Sequence, residues 1–420
     1  MGALALPLAL LLLCALQVCS ASEGKCCANR VAPQNFSLDF VPHILHALEQ
    51  YRPCSSQPSD PDCECHALTI RRDLGPYAEA GITRAMIAQS RRLGVVYQVI
   101  DGRIYRQPEV PHPRRCADVE DMLLGIAGEL PNVEFILNVH DWPQVLFLSG
   151  FTGPVFSHSV SHQHLDIMRP AWSFSSVSGP PLQRFPHGIG QWGHMRRHMA
   201  AAAAGVPWEH KQPMGFFRGT RSSTERDTLV RLSRRSPDLV DAQYTSNVGA
   251  ETVDEVPFSG HCQYKYLFNF GGITASFRLR HILLCKSLVL HVGDQWQEFF
   301  YSSLKPWVHY VPVPSNATVE SLEQLLVYLR LHDDLAEEIA ERGFQFVWQH
   351  LRLQDVQCYW RNLLQEYAKL LKYRVEQEQG FLEVRKQTKA LQKFEFPGLC
   401  QCDPLLSGQL LRHEQTAVVP

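Results

Sequence analysis

Beyond its first 22 residues the 420-residue sequence has no apolar run approaching the ~18 residues needed to span a bilayer. It also lacks an excess of either charge. Its 40 Lys and Arg against 42 Asp and Glu leave a formal net charge of −2. A stripe basic enough to hold nucleic acid phosphates would push that balance positive, so nucleic acid is a poor fit. The Gly-Lys-Ser/Thr signature of a phosphate loop is missing, and so is the Gly-x-Ser-x-Gly elbow of serine hydrolases. No repeat of fixed period is visible, which sets aside solenoids and propellers.

What remains is globular in character. The hydrophobic share is 45% and the charged share 20%, and the length suits two ordinary domains better than one core. Residues 1–22 form a Leu- and Ala-rich run ending in Cys-Ser-Ala-Ser. Its apolar core and small-residue exit read as a signal peptide, although no basic segment leads it. The expected product carries no membrane span and belongs to the secretory pathway. Cys14 and Cys19 would leave with the signal, so eleven of the thirteen cysteines remain in an oxidising lumen. Cys54, Cys63 and Cys65 read as disulfide staples. A zinc site including His66 is the weaker reading, because the two-residue gap usual in such sites is missing. Asn35-Phe-Ser and Asn316-Ala-Thr are glycosylation acceptors that suit the same compartment.

The pattern predicts a helix over 82–93, then a hairpin with strands 95–100 and 103–106 about an Asp101-Gly102 turn. A helix over 122–130 precedes a strongly β-prone run at 133–139. Residues 151–190 read as loop, and 195–204 as a helix stopped by Gly205 and Pro207. From about residue 213 strands and helices alternate. Strands are expected to end at Phe217 and to cover 239–242, 264–270 and 288–292. Helices are expected over 222–235, 275–284, 322–331, 335–349 and 355–373. Ser222, with Glu225 three residues on, reads as a capping box opening the first of these helices. Such alternation with short links implies a parallel sheet covered by helices. Beyond residue 380 the composition is mixed and reads as a poorly ordered tail.

Two strand-to-helix junctions carry the pattern of an anion site. The first is Arg218-Gly-Thr-Arg221, ahead of the helix containing Arg226. The second is Gly271-Gly-Ile-Thr-Ala-Ser276, ahead of the helix containing Arg278 and Arg280. Helix starts present free N–H groups and partial positive charge. Glycine lets backbone come close to a ligand, and hydroxyls of Thr220, Thr274 and Ser276 can cap or donate. Arginine adds a fixed, forked cation, yet in a first turn it opposes the helix dipole unless an anion is present. The plain alternative is pairing with surface carboxylates such as Glu225 or Asp227. Either junction alone leaves the two readings even; two of them in one half of the chain tip the balance to a ligand.

Asp141, in Asn138-Val-His-Asp-Trp-Pro143, sits where a β-prone run ends, the edge at which open α/β sheets build sites. Desolvation beside Trp142 would suit it to general-base work. Capping the turn before Pro143 is the plain alternative and, on the residues alone, the stronger one. Gly188-Ile-Gly-Gln-Trp-Gly193 matches a dinucleotide fingerprint by letters but follows a Pro-rich loop, not a strand. His158, His162 and His164 belong to no strong metal motif and read as polar loop histidines. Chemistry without a metal is the expectation.

Several longer motifs resemble the CAP10-type glycosyltransferases. They are Phe217-Arg-Gly-Thr-Arg-Ser-Ser-Thr-Glu-Arg-Asp227, Cys262-Gln-Tyr-Lys-Tyr-Leu-Phe-Asn-Phe270, Ala275-Ser-Phe-Arg278, Leu288-Val-Leu-His-Val-Gly-Asp-Gln-Trp296 and Lys305-Pro-Trp-Val-His-Tyr310. Pro53-Cys-Ser-Ser-Gln57, Asn138-Val-His-Asp-Trp-Pro-Gln144 and Asp166-Ile-Met-Arg-Pro-Ala-Trp172 add to a likeness that runs from about residue 40 to 375. Within that family the likeness points to the protein O-glucosyltransferases.

The resemblance implies an α/β chain of GT-B fold, with two Rossmann-like domains facing a cleft and a C-terminal helix crossing back to the first domain. On that pattern 1–22 is the signal peptide, 23–205 the acceptor-binding domain, 206–350 the nucleotide-sugar domain, 351–380 the returning helix and 381–420 the tail. It implies UDP-glucose as donor, UDP-xylose as secondary donor, inversion at the anomeric carbon, and no required cofactor or metal. The implied acceptor is the serine of Cys-x-Ser-x-Pro/Ala-Cys in folded EGF-like repeats such as those of Notch, met by a monomer in the endoplasmic reticulum lumen.

By position, Asp141 matches the family's catalytic base, which reverses the lean towards a turn cap. Thr220, Arg226, Ile273, Thr274, Ala275, Ser276, Phe277 and Arg278 match donor-binding residues. Two loops match those that hold the acceptor: Pro111, His112, Pro113, Arg114 and Arg115, and then Pro180, Pro181, Leu182, Gln183, Arg184, Phe185 and Pro186. The same matching implies disulfides Cys54–Cys65, Cys63–Cys358 and Cys262–Cys285. Three features depart from the family. Val110 stands where it has cysteine, leaving Cys116 without its usual partner. The end reads Ala-Val-Val-Pro420 in place of a Lys-Asp-Glu-Leu-like retention signal, and the tail adds Cys400 and Cys402. A reading of another class is a catalytically silent luminal protein that binds or helps fold EGF-like repeats; the presence of Asp141 and both arginines speaks against it.

Overall fold

The computed structural model describes residues 40–54, 64–175, 189, 191–245 and 253–386. The expected signal peptide, Asn35, Cys63, the loop 180–186 and the tail from 387 lie outside the described residues.

The first sheet grows from a hairpin. Strands β1 (Val95–Ile100) and β2 (Arg103–Arg106) pair antiparallel with Ile100 opposite Arg103, so only Asp101 and Gly102 lie between them. Both have positive φ, 49° and 73°, as a two-residue turn that follows the strand twist requires. Glycine reaches that region freely and aspartate tolerates it. Strand β3 (Val133–Leu137), buried along its whole length, pairs antiparallel with β1 on the other side. Strands β4 (Val155–Ser157), β5 (Val160–Ser161) and β6 (Ile167–Met168) follow, and β4 and β6 extend the sheet in parallel. This sheet is therefore mixed, because the short hairpin turn forces its strands antiparallel.

The fully parallel sheet expected from the alternation of elements is the second one. It contains β7 (Gln212–Gly219), β8 (Val240–Tyr244), β9 (Tyr264–Phe270) and β10 (Leu288–Val292). After the short β11 (Trp296–Gln297), β12 (Val311–Val313) completes it in the order β12-β10-β9-β7-β8, with every pairing parallel. β11 leaves it to pair antiparallel with β5, so a two-stranded ribbon joins the loops that follow β4 and β10. Finally β13 (Leu382–Glu383) adds to the first sheet beside β2. The expected poorly ordered tail thus loses its first residues. Edge pairing uses backbone groups alone, so composition did not signal it.

Helix boundaries moved where side chains compete for backbone groups. The capping box at Ser222 does not form; the helix begins at Glu225, whose N–H donates to Ser223 Oγ at 3.2 Å. The helix expected from 275 runs only over Arg278–Leu283. Gly272 N–H donates to the Thr274 carbonyl at 2.8 Å and Arg278 N–H to Ser276 Oγ at 3.3 Å, so 271–277 is spent in turns. The helix expected over 122–130 instead spans Pro113–Leu124, with proline in its first turn. Helix Leu353–Leu370 lays Trp360 and Tyr367 on Phe156 of β4, at ring distances of 6.4 and 5.0 Å. Among the described residues no helix is long and apolar enough to cross a membrane.

Cys54–Cys65 and Cys262–Cys285 are bonded as the resemblance implies. Cys358 is disulfide-bonded as well, while its expected partner Cys63 lies outside the described residues. Cys116 is free and buried.

Arg280, one of the arginines at the second junction, proves to be a core residue. Its guanidinium donates to Ser173 Oγ at 2.6 Å, lies 3.6 Å from Glu298 and sits 4.0 Å from the centre of the Phe174 ring. Burial pushes Glu298 up to about 7 and Arg280 down to about 10. Removing one member of a buried pair strands the other, so Arg280→Met is expected to cost about 3–5 kcal/mol. Without its cation Glu298 holds its proton to still higher pH. The folded state then binds more protons than the unfolded chain, and stability falls as pH rises. Urea midpoints should show a larger loss at pH 8 than at pH 6; equal midpoints for variant and wild type would contradict the assignment.

Candidate active site

In the parallel sheet the chain runs from β7 out to β8, then crosses back over β7 to β9. Open α/β sheets place ligands beyond the carboxyl ends of the strands at such a reversal. Here β7 ends in Arg218-Gly219 and β9 in Phe270, followed by the turn 271–277. Both junctions picked out from the sequence meet at this point.

The arginines there divide into two kinds. Arg218 pairs with Asp241 at 2.7 Å, and Arg221 grips Asp227 through bonds of 2.8 and 2.6 Å. These two follow the plain alternative. Arg226 and Arg278 meet no carboxylate among the described residues. Their guanidinium groups lie over one ring, 5.4 and 4.7 Å from the centre of Phe217. Arg226 donates to the carbonyls of Thr220 and Gly271, the latter at 2.7 Å, and Arg278 donates to the carbonyl of Arg218 at 2.7 Å. Nε of Arg226 and both Nε and Nη1 of Arg278 are shut off from solvent without a partner. Burial, with Arg226 adding to it, pushes Arg278 down to about 9, and burial lowers Arg226 too. Gly219 makes this packing possible, since a Cβ there would stand 2.8 Å from Arg278 Nη2.

Beside the pair a cavity of about 230 Å³ opens at the carboxyl ends of β9 and β10. Ser223, Thr224 and Glu225, at the start of helix Glu225–Arg235, form one wall, and Gly271, Gly272, Ala275 and Ser276 another. Of the expected donor residues only Ala275 and Ser276 line it. Arg226 reaches its wall through the Gly271 carbonyl, and Ile273 is exposed. Sequence reasoning missed Asn269, His291 and Tyr301, which share the rest of the lining with Val292, Gly293, Gln295 and Trp296. Asn269 Nδ2 bonds to His291 Nδ1 at 2.8 Å, while Asn269 Oδ1 and the Tyr301 hydroxyl are buried without partners. Burial pushes His291 down to about 4, so its ring is neutral at pH 7. The available signal was one polar residue near the end of each of two apolar strands.

Asp141 approaches from the first sheet. The turn after β3 is made by Asn138, whose Oδ1 accepts from His140 N–H at 2.9 Å and whose Nδ2 donates to the Trp142 carbonyl at 2.8 Å. The capping task that the plain reading gave to Asp141 therefore belongs to Asn138. The Asp141 carboxylate turns to Arg115, with Oδ1 2.8 Å from Nη2. Its backbone carbonyl accepts from the Thr274 hydroxyl at 3.0 Å, and Ala275 N–H donates to Ser159 Oγ at 3.2 Å. The turn 271–277 thus touches the Asp141 turn directly. The desolvation expected beside Trp142 is missing, since the Asp141 side chain is 44% and Trp142 54% exposed.

Of the expected acceptor residues, Pro111, His112, Pro113 and Arg114 are exposed, and 180–186 lies outside the described residues. The helix Pro113–Leu124 carries Arg115 to Asp141 in its first turn. His158 lies in the loop between β4 and β5, as expected, but it does not face solvent. It is buried against Phe277 at a ring distance of 5.5 Å, and burial drives it well below its usual range. Among the described residues no three His, Cys, Asp or Glu side chains cluster as metal ligands would.

Residues 58–396 match the model of glycosyl transferase family 90. The chain is 47% identical over 381 residues to O-glucosyltransferase rumi of Drosophila melanogaster, covering 87% of this chain and 92% of that one. It is 44% identical over 356 residues to protein O-glucosyltransferase 1 of Homo sapiens, covering 82% and 89% respectively. Among solved structures, Anabaena Alr3699/HepE in complex with UDP-glucose gives a TM-score of 0.29 at 11% identity, over 52% of this chain and 64% of that one, too loose a likeness to carry an argument. With a family match across most of its length and relatives at this identity, the chain belongs to glycosyl transferase family 90.

Proposed function

We propose that the chain is an inverting glycosyltransferase that moves glucose from UDP-glucose to the serine of Cys-x-Ser-x-Pro/Ala-Cys in folded EGF-like repeats, those of Notch among them. UDP-xylose is its secondary donor. The observation that carries this reading is the buried pair Arg226 and Arg278, short of acceptors and joined through the turn 271–277 to Asp141. The names of the relatives supply glucose as the sugar and protein as the acceptor class.

On this reading the nucleoside enters the cavity walled by Glu225, and a shift of the turn 271–277 on donor binding opens the buried arginine N–H groups that lack acceptors to the diphosphate oxygens. Thr220, Ile273, Thr274, Ala275, Ser276, Phe277 and Arg278 shape the donor side. Residues 111–114 and 180–186 shape the acceptor side. Asp141 takes the serine proton while the serine oxygen attacks the anomeric carbon from the face opposite UDP. The new C1–O bond forms as the bond from C1 to the phosphate oxygen breaks, and the configuration inverts. Negative charge grows on the departing UDP, where two fixed cations stabilise it without calling for a divalent ion.

The GT-B arrangement belongs to the same proposal. Lobes 23–205 and 206–350 would face a cleft, with 351–380 returning to the first. Closure would exclude water from the activated sugar. A monomer in the lumen of the endoplasmic reticulum, glycosylated at Asn35 and Asn316, completes the reading.

Transfer of labelled glucose to a purified EGF repeat should fall about 10²–10⁴-fold in Asp141→Asn, with UDP affinity by calorimetry unchanged. Equal transfer by the variant would remove Asp141 from the base role. Arg278→Met should weaken UDP binding by about 1.5–3 kcal/mol, about 10- to 150-fold in Kd. Gly219→Ala, which pushes on the same guanidinium, should weaken it in the same direction. Wild-type affinity in both would place the diphosphate elsewhere.

A further inference from the structure

Resting on the functional reading above, we infer that Arg115 is a positioning residue, which pins one oxygen of Asp141 and leaves the other to take the acceptor's proton. The resemblance implies a different job for it, contact with the acceptor, and the geometry distinguishes the two. Arg115 spends both ends of its fork on the turn after β3. Nη1 donates to the Val139 carbonyl at 2.7 Å, and Nη2 lies 2.8 Å from Asp141 Oδ1. One guanidinium therefore spans the turn and fixes the carboxylate relative to its own backbone. The Arg115 side chain is 24% exposed against 44% for Asp141, so the carboxylate is the more open of the two to an incoming group. Asp141 Oδ2 has no partner among the described residues.

This arrangement answers a mechanical need. The last torsion of an aspartate is broad, and an untethered carboxylate would spend much of its time aimed away from the incoming hydroxyl. A general base gains from being held in a near-attack geometry. Arginine can do the holding without competing for the proton, because its guanidinium stays protonated and cannot accept one.

Arg115 is itself placed from the donor side. Its guanidinium lies 5.9 Å from the ring centre of Trp172, and Trp172 meets Phe277 edge-on at 5.7 Å. Phe277 ends the turn 271–277, the segment whose Thr274 holds the Asp141 carbonyl. The base is thus gripped at its main chain by that turn, and at its carboxylate by an arginine resting on an aromatic wall that the same turn supports.

The test is steady-state transfer to a purified EGF repeat by Arg115→Gln and Arg115→Lys, each alone and combined with Asp141→Asn. Arg115→Gln should lower kcat about 10- to 100-fold, as misaligned catalytic groups do. KM for donor and for repeat should stay within about twofold, and lysine should restore part of the rate. In the Asp141→Asn background, losing Arg115 should change the residual rate by less than about twofold, since it acts through that carboxylate. Thermal melting and UDP affinity identify a variant that has lost its fold, and the lysine variant is then the one read. A raised KM for the repeat at unchanged kcat, or a full additional loss in the Asp141→Asn background, would overturn the inference. A wild-type chain that transfers no sugar would overturn the functional reading and the inference with it. A transferring wild type with unaffected Arg115 variants would overturn the inference alone.

Discussion

Two guanidinium groups packed over one phenylalanine ring, with no carboxylate among the described residues to meet either, are the constraint around which this molecule is arranged. Like charges in a buried place are unfavourable, and the fold offsets them with what lies at the strand ends. The π face of Phe217 receives both cations. Carbonyls of Arg218, Thr220 and Gly271 accept their N–H groups because β7 and β9 stop at this point. Neighbouring carboxylates do not help, since Asp227 and Asp241 are taken by Arg221 and Arg218. What is left is positive charge with unused donors beside a cavity, which is what a doubly charged leaving group calls for.

Asp141 and the arginine pair, the base and donor site of the proposed function, share one short segment. The turn 271–277 passes the cavity, bonds to the Asp141 turn through Thr274 and to Ser159 through Ala275, and runs into the short helix that carries Arg278 and Arg280. Arg280 continues the connection inward to Ser173, Phe174 and Glu298. The β5–β11 ribbon makes a separate link between the loops of the two sheets. A displacement of the turn 271–277 is therefore felt at Asp141, and in the function proposed above one sequence stretch serves charge stabilisation and proton transfer together.

Much of this was legible in the residues, and the failures have a common cause. Strands 264–270 and 288–292 were read to the residue because apolar, β-prone runs bounded by Gly or polar turns leave little choice. The hairpin about Asp101-Gly102 followed from local chemistry in the same way. The misreadings concern competition between groups that only the fold brings together. On the residues alone the turn cap falls to Asp141, and Asn138 emerges only through its side-chain bonds to His140 and Trp142. Arg218 and Arg278 looked alike, yet one finds Asp241 on the adjacent strand and the other finds only carbonyl oxygen. The antiparallel pairing of β1 with β3, and the return of β13 to the edge, depend on backbone partners distant in sequence. The role proposed for Asp141 rests on family resemblance, because an aspartate before Trp-Pro carries no mark of its use.

The most direct test of the central claim is a crystal structure of the chain with UDP-glucose bound. The account predicts diphosphate oxygens within hydrogen-bonding distance, about 3 Å, of the free N–H groups of Arg226 and Arg278, with the anomeric carbon facing Asp141. A diphosphate seated away from both arginines, or an anomeric carbon turned from Asp141, would contradict it.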